Sequence, residues 1–179
     1  MLINNLIKFF FKRKENNIKK IKDILNNIIE ISYSDSFNKK FKIPNTFNAR
    51  YEIILILIFI LNLRLKNEKV NKNKMQIIYN LLFEYIDYSL REAGVGDLSI
   101  GKKVKILARI FSYRMQLYEK SIDIDFKNIK KPIKKYIYKN KVKKNNLNNF
   151  YKYIYSQHKK LKYLNSNDIF KRNFFKRII

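Results

Sequence analysis

Gly96, Gly101 and Lys102 fall at the spacing of the phosphate-binding loop G-x-x-x-x-G-K-[ST]. In that loop backbone N–H groups cradle phosphates and a hydroxyl holds Mg²⁺. Two features argue against nucleotide chemistry. Lys103 stands where the hydroxyl is required, and helical periodicity precedes the loop where the motif demands a strand. Little else in the chain could catalyse. His158 is the single histidine and lies among Gln157, Lys159 and Lys160, as on a solvated surface. Asp123 and Asp125 follow a helical stretch and read as the start of the next element, not as a metal site. No Ser-His-Asp set or carboxylate dyad can be argued from spacing. Without cysteine there is no thiolate nucleophile, disulfide or thiolate-bound zinc. The expectation is a non-enzyme with no metal, no cofactor and no small-molecule substrate.

The glycines point elsewhere. All three in the chain lie between Gly94 and Gly101, in the segment Arg91-Glu92-Ala93-Gly94-Val95-Gly96-Asp97-Leu98-Ser99-Ile100-Gly101-Lys102-Lys103. Gly94 sits where a helix C-cap belongs, with Leu90 and Val95 at the two positions that meet in a Schellman motif. Asp97 or Ser99 can cap the next helix, and Gly96 permits a tight or left-handed turn between them. Gly101 then falls within the first turn of that helix, where it costs up to about 1 kcal/mol relative to alanine. Capping does not account for it. A close approach by another backbone, from this fold or a partner, would.

The elements that position this segment read as helices throughout. Apolar residues at Ile18, Ile21, Ile24, Leu25, Ile28, Ile29 and Ile31 mark an N-terminal helix over 16–31. Phe37 and Phe41 fall in a linker closed by Pro44. Asn45-Thr46 then offers an N-cap for an apolar helix running to about Lys66. Its longest apolar run, Ile53 to Leu61, is nine residues. A membrane span needs about 20, so this is a buried core helix. A polar linker over 67–73 precedes a helix carrying Met75, Ile78, Leu81, Leu82, Tyr85, Ile86 and Leu90, which stops at Gly94. Val104, Leu107, Ile110, Phe111, Leu117, Tyr118 and Ile122 mark the helix after it. Further helices are expected around Ile129–Tyr138 and Leu147–Leu164, with Ser166 capping a last short one. The fold class is therefore all-α, a single compact domain over residues 1–179 with about six helices. Its weakest joint is Lys139 to Asn149.

The net charge of +26 needs a correction for composition. Lys, Asn and Ile share AT-rich codons, so an AT-rich genome explains most of it. The distribution says more. Residues 126–179 hold 17 Lys or Arg against one acid, Asp168. This basic C-terminal helical extension suits an anionic partner such as RNA, the ribosome or lipid headgroups. At the other end, the apolar residues of Met1 to Phe11 precede Lys12-Arg13-Lys14, the wrong order for a secretory signal. That stretch reads either as an amphipathic helix on a membrane surface or as a terminal helix packed on the body.

The segment Asp87-Tyr88-Ser89-Leu90-Arg91-Glu92-Ala93-Gly94-Val95-Gly96-Asp97 resembles the D-x-S-L-R-E-x-G-V-G-D signature of the ubiquinol–cytochrome c chaperone family. Ala108, Phe111, Tyr113-Arg114 and Tyr118 are similar to the family's downstream A-x-x-F-x-x-R-x-x-x-Y pattern, with Tyr113 matching only in approximate spacing. Ile43-Pro44-Asn45-Thr46-Phe47-Asn48-Ala49-Arg50-Tyr51-Glu52 resembles its V-P-D-T-F-D-G-R-F-E, departing at Asn45, Asn48 and Ala49. The resemblance covers a motif-bearing core of about 40–122. It implies an all-helical, non-catalytic chaperone that binds newly made cytochrome b and helps it into the bc1 complex. It also implies a small co-chaperone and work near the ribosomal exit tunnel. Arg50, Arg91, Glu92, Gly94, Val95, Gly96, Asp97, Gly101 and Lys102 would form or brace the partner surface. The lack of a clear presequence favours the bacterial cytoplasm, at the inner face of the cytoplasmic membrane, over the matrix side of a mitochondrial inner membrane.

A ribosome- or RNA-binding module is the alternative. Tyr136, Tyr138, Phe150, Tyr151, Tyr153 and Tyr155 interleave with lysines, and such rings can stack on bases. At helical spacing, however, Phe150, Ile154 and Leu161 read as core.

Overall fold

The structure, a computed structural model, describes residues 18–66, 69–170 and 175. The expectation for the first 14 residues lies outside them. Among the described residues there are helices and turns but no strand. Helix α1 spans 18–32 and buries Ile21, Ile24, Leu25, Ile28 and Ile31, the stripe its periodicity predicts. The supposed linker after it contains a short helix, α2 (Ser36–Phe41). Phe37 and Phe41 are the reason. Both are buried, and their rings meet Phe150 and Tyr153 at centroid distances of 5.4 to 6.1 Å.

The centre of the fold is α3 (Phe47–Leu65). Thr46 caps it as expected, its hydroxyl accepting the Ala49 N–H at 3.3 Å. Every side chain from Tyr51 to Leu61 is buried. A helix apolar all round belongs inside a protein, and the other helices enclose this one. No helix among the described residues is long and apolar enough to cross a membrane. Helix α4 (Lys69–Glu92) begins within the stretch predicted as a polar linker. Its first turns are polar but hold no residue that breaks a helix. Helix α5 (Asp97–Ile122) runs back along it, with Phe111 edge-on to Tyr79 at 4.9 Å and to Phe83 at 5.7 Å.

Residues 126–137 form a composite element: a 3₁₀ turn (Phe126–Ile129), the single turn α6 (Lys130–Pro132) and a π turn (Ile133–Ile137). Asp125 opens it by accepting the Lys127 N–H at 2.8 Å, as anticipated for this acid. Pro132 has no N–H to donate, so the regular hydrogen-bond ladder cannot continue through it. Helix α7 (Lys144–Lys162) and the short α8 (Ser166–Ile169) follow.

The basic C-terminal region is folded onto the core. Phe150, Ile154 and Leu161 are fully buried, and the Tyr138 hydroxyl donates to the Phe41 carbonyl at 2.9 Å. Arg64 of α3 donates to the carbonyls of Leu161 (3.1 Å) and Leu164 (2.7 Å), tying α3 to the end of α7.

His158 corrects a sequence expectation. It is half-buried and stacked on Phe126, centroids 4.6 Å apart and planes 16° from parallel. Burial, with Lys162 nearby, lowers its pKa below the ordinary 6.5. As pH falls through about 6.5 the unfolded chain takes up this proton before the folded one does. The contribution of His158 to stability is therefore full above that pH and declines below it. A melting temperature followed from about pH 7 to about pH 5 is expected to fall less steeply in His158→Phe, which keeps the ring stack.

Candidate functional site

The glycine turn has the geometry its sequence predicts at the C-terminal side of α4. Gly94 adopts φ 75°, the left-handed region. The Val95 N–H donates to the Leu90 carbonyl at 3.0 Å and the Gly94 N–H to that of Arg91 at 2.9 Å, the two bonds of a Schellman motif. A Cβ built at Gly94 would meet nothing within 4 Å, so conformation alone demands the glycine. Gly94→Ala is expected to cost about 1–2 kcal/mol in urea unfolding.

Two expectations for this turn are corrected. Helix α5 is capped by Gly96, and neither Asp97 nor Ser99 supplies a side-chain cap. Gly96 itself is extended, at φ −60° and ψ 141°. Asp97 is instead the first helical residue, and Arg91 takes its carboxylate. Arg91 bridges Asp87 (Nε to Oδ1, 2.7 Å) and Asp97 (Nη1 to Oδ1, 2.5 Å), so the two helices are tied across the turn. These carboxylates hold the Arg91 guanidinium above its usual pKa, Asp87 foremost. Gly101 has no neighbour within 4 Å of a Cβ position among the described residues, so of the two expected approaches only that of a partner is left for it. Gly101, Lys102 and Glu92 all lie exposed. The Arg91 bridges are solvent-facing and therefore weak. Asp97→Ala is accordingly expected to move the melting temperature little, while weakening capture of a partner that touches this loop.

Arg50 lies on α3. It donates to the Asn45 side chain and sits over the ring of Tyr33, 4.3 Å from its centroid. With Tyr33, Phe47, Tyr51, Tyr85 and Ser89 it lines a crevice between the end of α1, the start of α3 and the last turns of α4. The hydroxyls of Tyr33 and Tyr85 meet across it at 3.1 Å. Burial, more than any neighbour, raises the pKa of Tyr85. The crevice holds only about 20 Å³, far less than a cofactor-sized ligand needs. Its rim is what faces outward: Tyr33 and Phe47 are 46% and 47% exposed. A larger cleft of about 450 Å³ opens between Lys130 and the start of α7, and no signature residue lines it.

A third group joins residues of both resemblance segments that the sequence alone does not pair. Glu52 on α3 and Arg114 on α5 are both buried and form a bidentate pair, with Nε and Nη2 of Arg114 at 2.9 and 2.8 Å from Glu52 Oε1 and Nε 3.0 Å from Oε2. The Tyr118 hydroxyl adds a bond to Oε2 at 3.3 Å, and the ring of Tyr136 covers the guanidinium at 3.2 Å. Burial and the Glu52 charge push the Tyr118 pKa well up. An acid opening an otherwise apolar helix was the available signal, since it must find a partner. This network locks the helix that begins beside Arg50 to the helix that begins at the glycine turn. The Tyr51 hydroxyl reinforces it by donating to the Leu107 carbonyl at 2.8 Å.

The aromatic residues of the basic region are mostly spent inside. Phe150 and Tyr138 are buried, and Tyr153 packs among Phe37, Phe41 and Phe150. Tyr151 and Tyr155 stack on each other at 5.8 Å beneath Lys130 and Lys159. That removes most of the stacking platform an RNA-binding reading needs.

The fold has a counterpart of known structure. The crystal structure of the Cbp3 homolog from Brucella abortus superposes with a TM-score of 0.78, at 23% identity, over 92% of each chain. No curated protein sequence matches. The sequence profile described as ubiquinol-cytochrome C chaperone, however, matches residues 39–177, which include both signature segments and the helices that lock them together. The chain belongs to the ubiquinol–cytochrome c chaperone family.

Proposed function

We propose that this member of an assembly-chaperone family holds newly made cytochrome b and promotes its assembly into ubiquinol–cytochrome c reductase. The observation that carries the reading is the half-exposed aromatic rim of Tyr33 and Phe47, set beside Arg50 and over a crevice that Ser89 of the signature segment also lines. A nascent membrane protein presents apolar helical segments with nowhere to be buried. Large rings over a shallow crevice offer them contact area without a deep pocket. The chaperone works at the inner face of the cytoplasmic membrane, or on the matrix side of the inner membrane in a mitochondrion. A small partner protein and the ribosome near its exit tunnel complete the proposed set of contacts.

Affinity capture of the tagged protein from its own membranes, with crosslinking and mass spectrometry at low and high salt, tests this. Cytochrome b recovered at both salts supports apolar holding of the client. Ribosomal proteins alone, lost at high salt, contradict it.

A further inference from the structure

Helix α5 carries a second surface whose chemistry differs from the aromatic rim. At 100° per residue, Leu98, Lys102, Lys105, Ile106, Arg109 and Tyr113 fall within one sector about 100° wide. The opposite face holds the buried Ile100, Phe111, Arg114 and Tyr118. The stripe is therefore the solvent side of the helix, about 22 Å long from Leu98 to Tyr113. Leu98 is fully exposed, and Ile106 and Tyr113 are 45% and 50% exposed. From Leu98 to Tyr118 the helix contains no acid. Codon bias supplies lysine and isoleucine; it does not by itself align Leu98, Ile106 and Tyr113 with the cations on one exposed sector.

We infer that this stripe of α5 is a docking surface for an anionic phospholipid bilayer, with the cations on headgroup phosphates and Leu98 and Ile106 dipping below them. Charge complementarity selects the occupant. A bilayer interface offers phosphates and, a few ångströms deeper, an apolar layer along the same plane. A nucleic acid would engage the cations but leave Leu98 and Ile106 in water. The glycine turn serves the arrangement by starting α5 on a short, exposed N-terminal cap, so that Leu98 projects with nothing packed over it. Held in this way, the chaperone would be fixed to the membrane by α5, independently of its client surface.

The absence of cysteine makes a clean probe possible. An environment-sensitive dye is placed on Leu98→Cys, and the protein is titrated with vesicles of phosphatidylcholine alone or with about one third phosphatidylglycerol. The expected result is a blue shift with the anionic vesicles only. In parallel, flotation of unlabelled protein compares wild type with Leu98→Gln/Ile106→Gln, which alters neither charge nor helix propensity appreciably. That variant is expected to bind anionic vesicles about tenfold more weakly. The charge-matched control pairs are Lys102→Gln/Lys105→Gln on the stripe and Lys152→Gln/Lys159→Gln on α7. The stripe pair should weaken binding more. Undiminished binding by Leu98→Gln/Ile106→Gln overturns the inference. So does an equal loss from the two lysine pairs, or a dye that responds to transfer RNA and not to vesicles. Circular dichroism of each variant establishes that folding is retained, and none of these readouts involves cytochrome b.

Discussion

Arg114→Ala is expected to lower the unfolding free energy by about 3–5 kcal/mol, the usual result of leaving one charge of a buried pair without its partner. Glu52 would keep its place inside the protein, with only the Tyr118 hydroxyl left to serve it. The cost comes from the stranded charge more than from the lost bond, and a second variant separates the two. Glu52→Leu, Arg114→Met and Tyr118→Phe together remove both charges and the hydroxyl bonded to them while holding volume. Such replacements of buried ion pairs are often neutral or stabilising, so the triple variant is expected to recover most of the loss. Urea unfolding measures both. A loss below about 1 kcal/mol in Arg114→Ala would mean that the network does not lock α3 to α5.

The second large effect concerns capture. Phe47→Asp is expected to weaken capture of cytochrome b by about thirtyfold or more, the scale of a hot-spot residue. Its effect on melting temperature should be small for two reasons. Phe47 is half exposed, and it is the first residue of α3, where a negative charge favours the helix. Its stacking on Tyr51, 6.3 Å between centroids, is the ring contact at stake. Capture per folded molecule, read against wild type at equal concentration, checks this. Unchanged capture would take the rim out of the client surface.

Much of this was legible in the sequence because it is local. The Schellman motif needs only Leu90, Gly94 and Val95 in register, and the Thr46 cap only a hydroxyl three residues before Ala49. The buried stripes follow from three- and four-residue spacing. What went unread depends on contacts between distant segments. The sequence marks Asp97 as a cap, and only the fold brings Arg91 back over it. Glu52 and Arg114 are 62 residues apart. Nothing near His158 announces Phe126, and nothing near Phe37 announces Phe150. Gly101 is a different case. The expected close approach comes from none of the described residues, and no contact in the described structure explains a glycine there. The family signature itself was readable because its glycines stand alone in a chain of Lys, Asn and Ile.

The most direct test of the central claim is site-specific photocrosslinking during synthesis of the client. A photoreactive phenylalanine analogue replaces Phe47, and a control chain carries it at Lys159 on α7. Cytochrome b adducts from position 47 and not from position 159 are the expected result. Captured cytochrome b with no adduct at position 47, or equal adducts from both positions, would contradict the assignment of the aromatic rim as the client-holding surface.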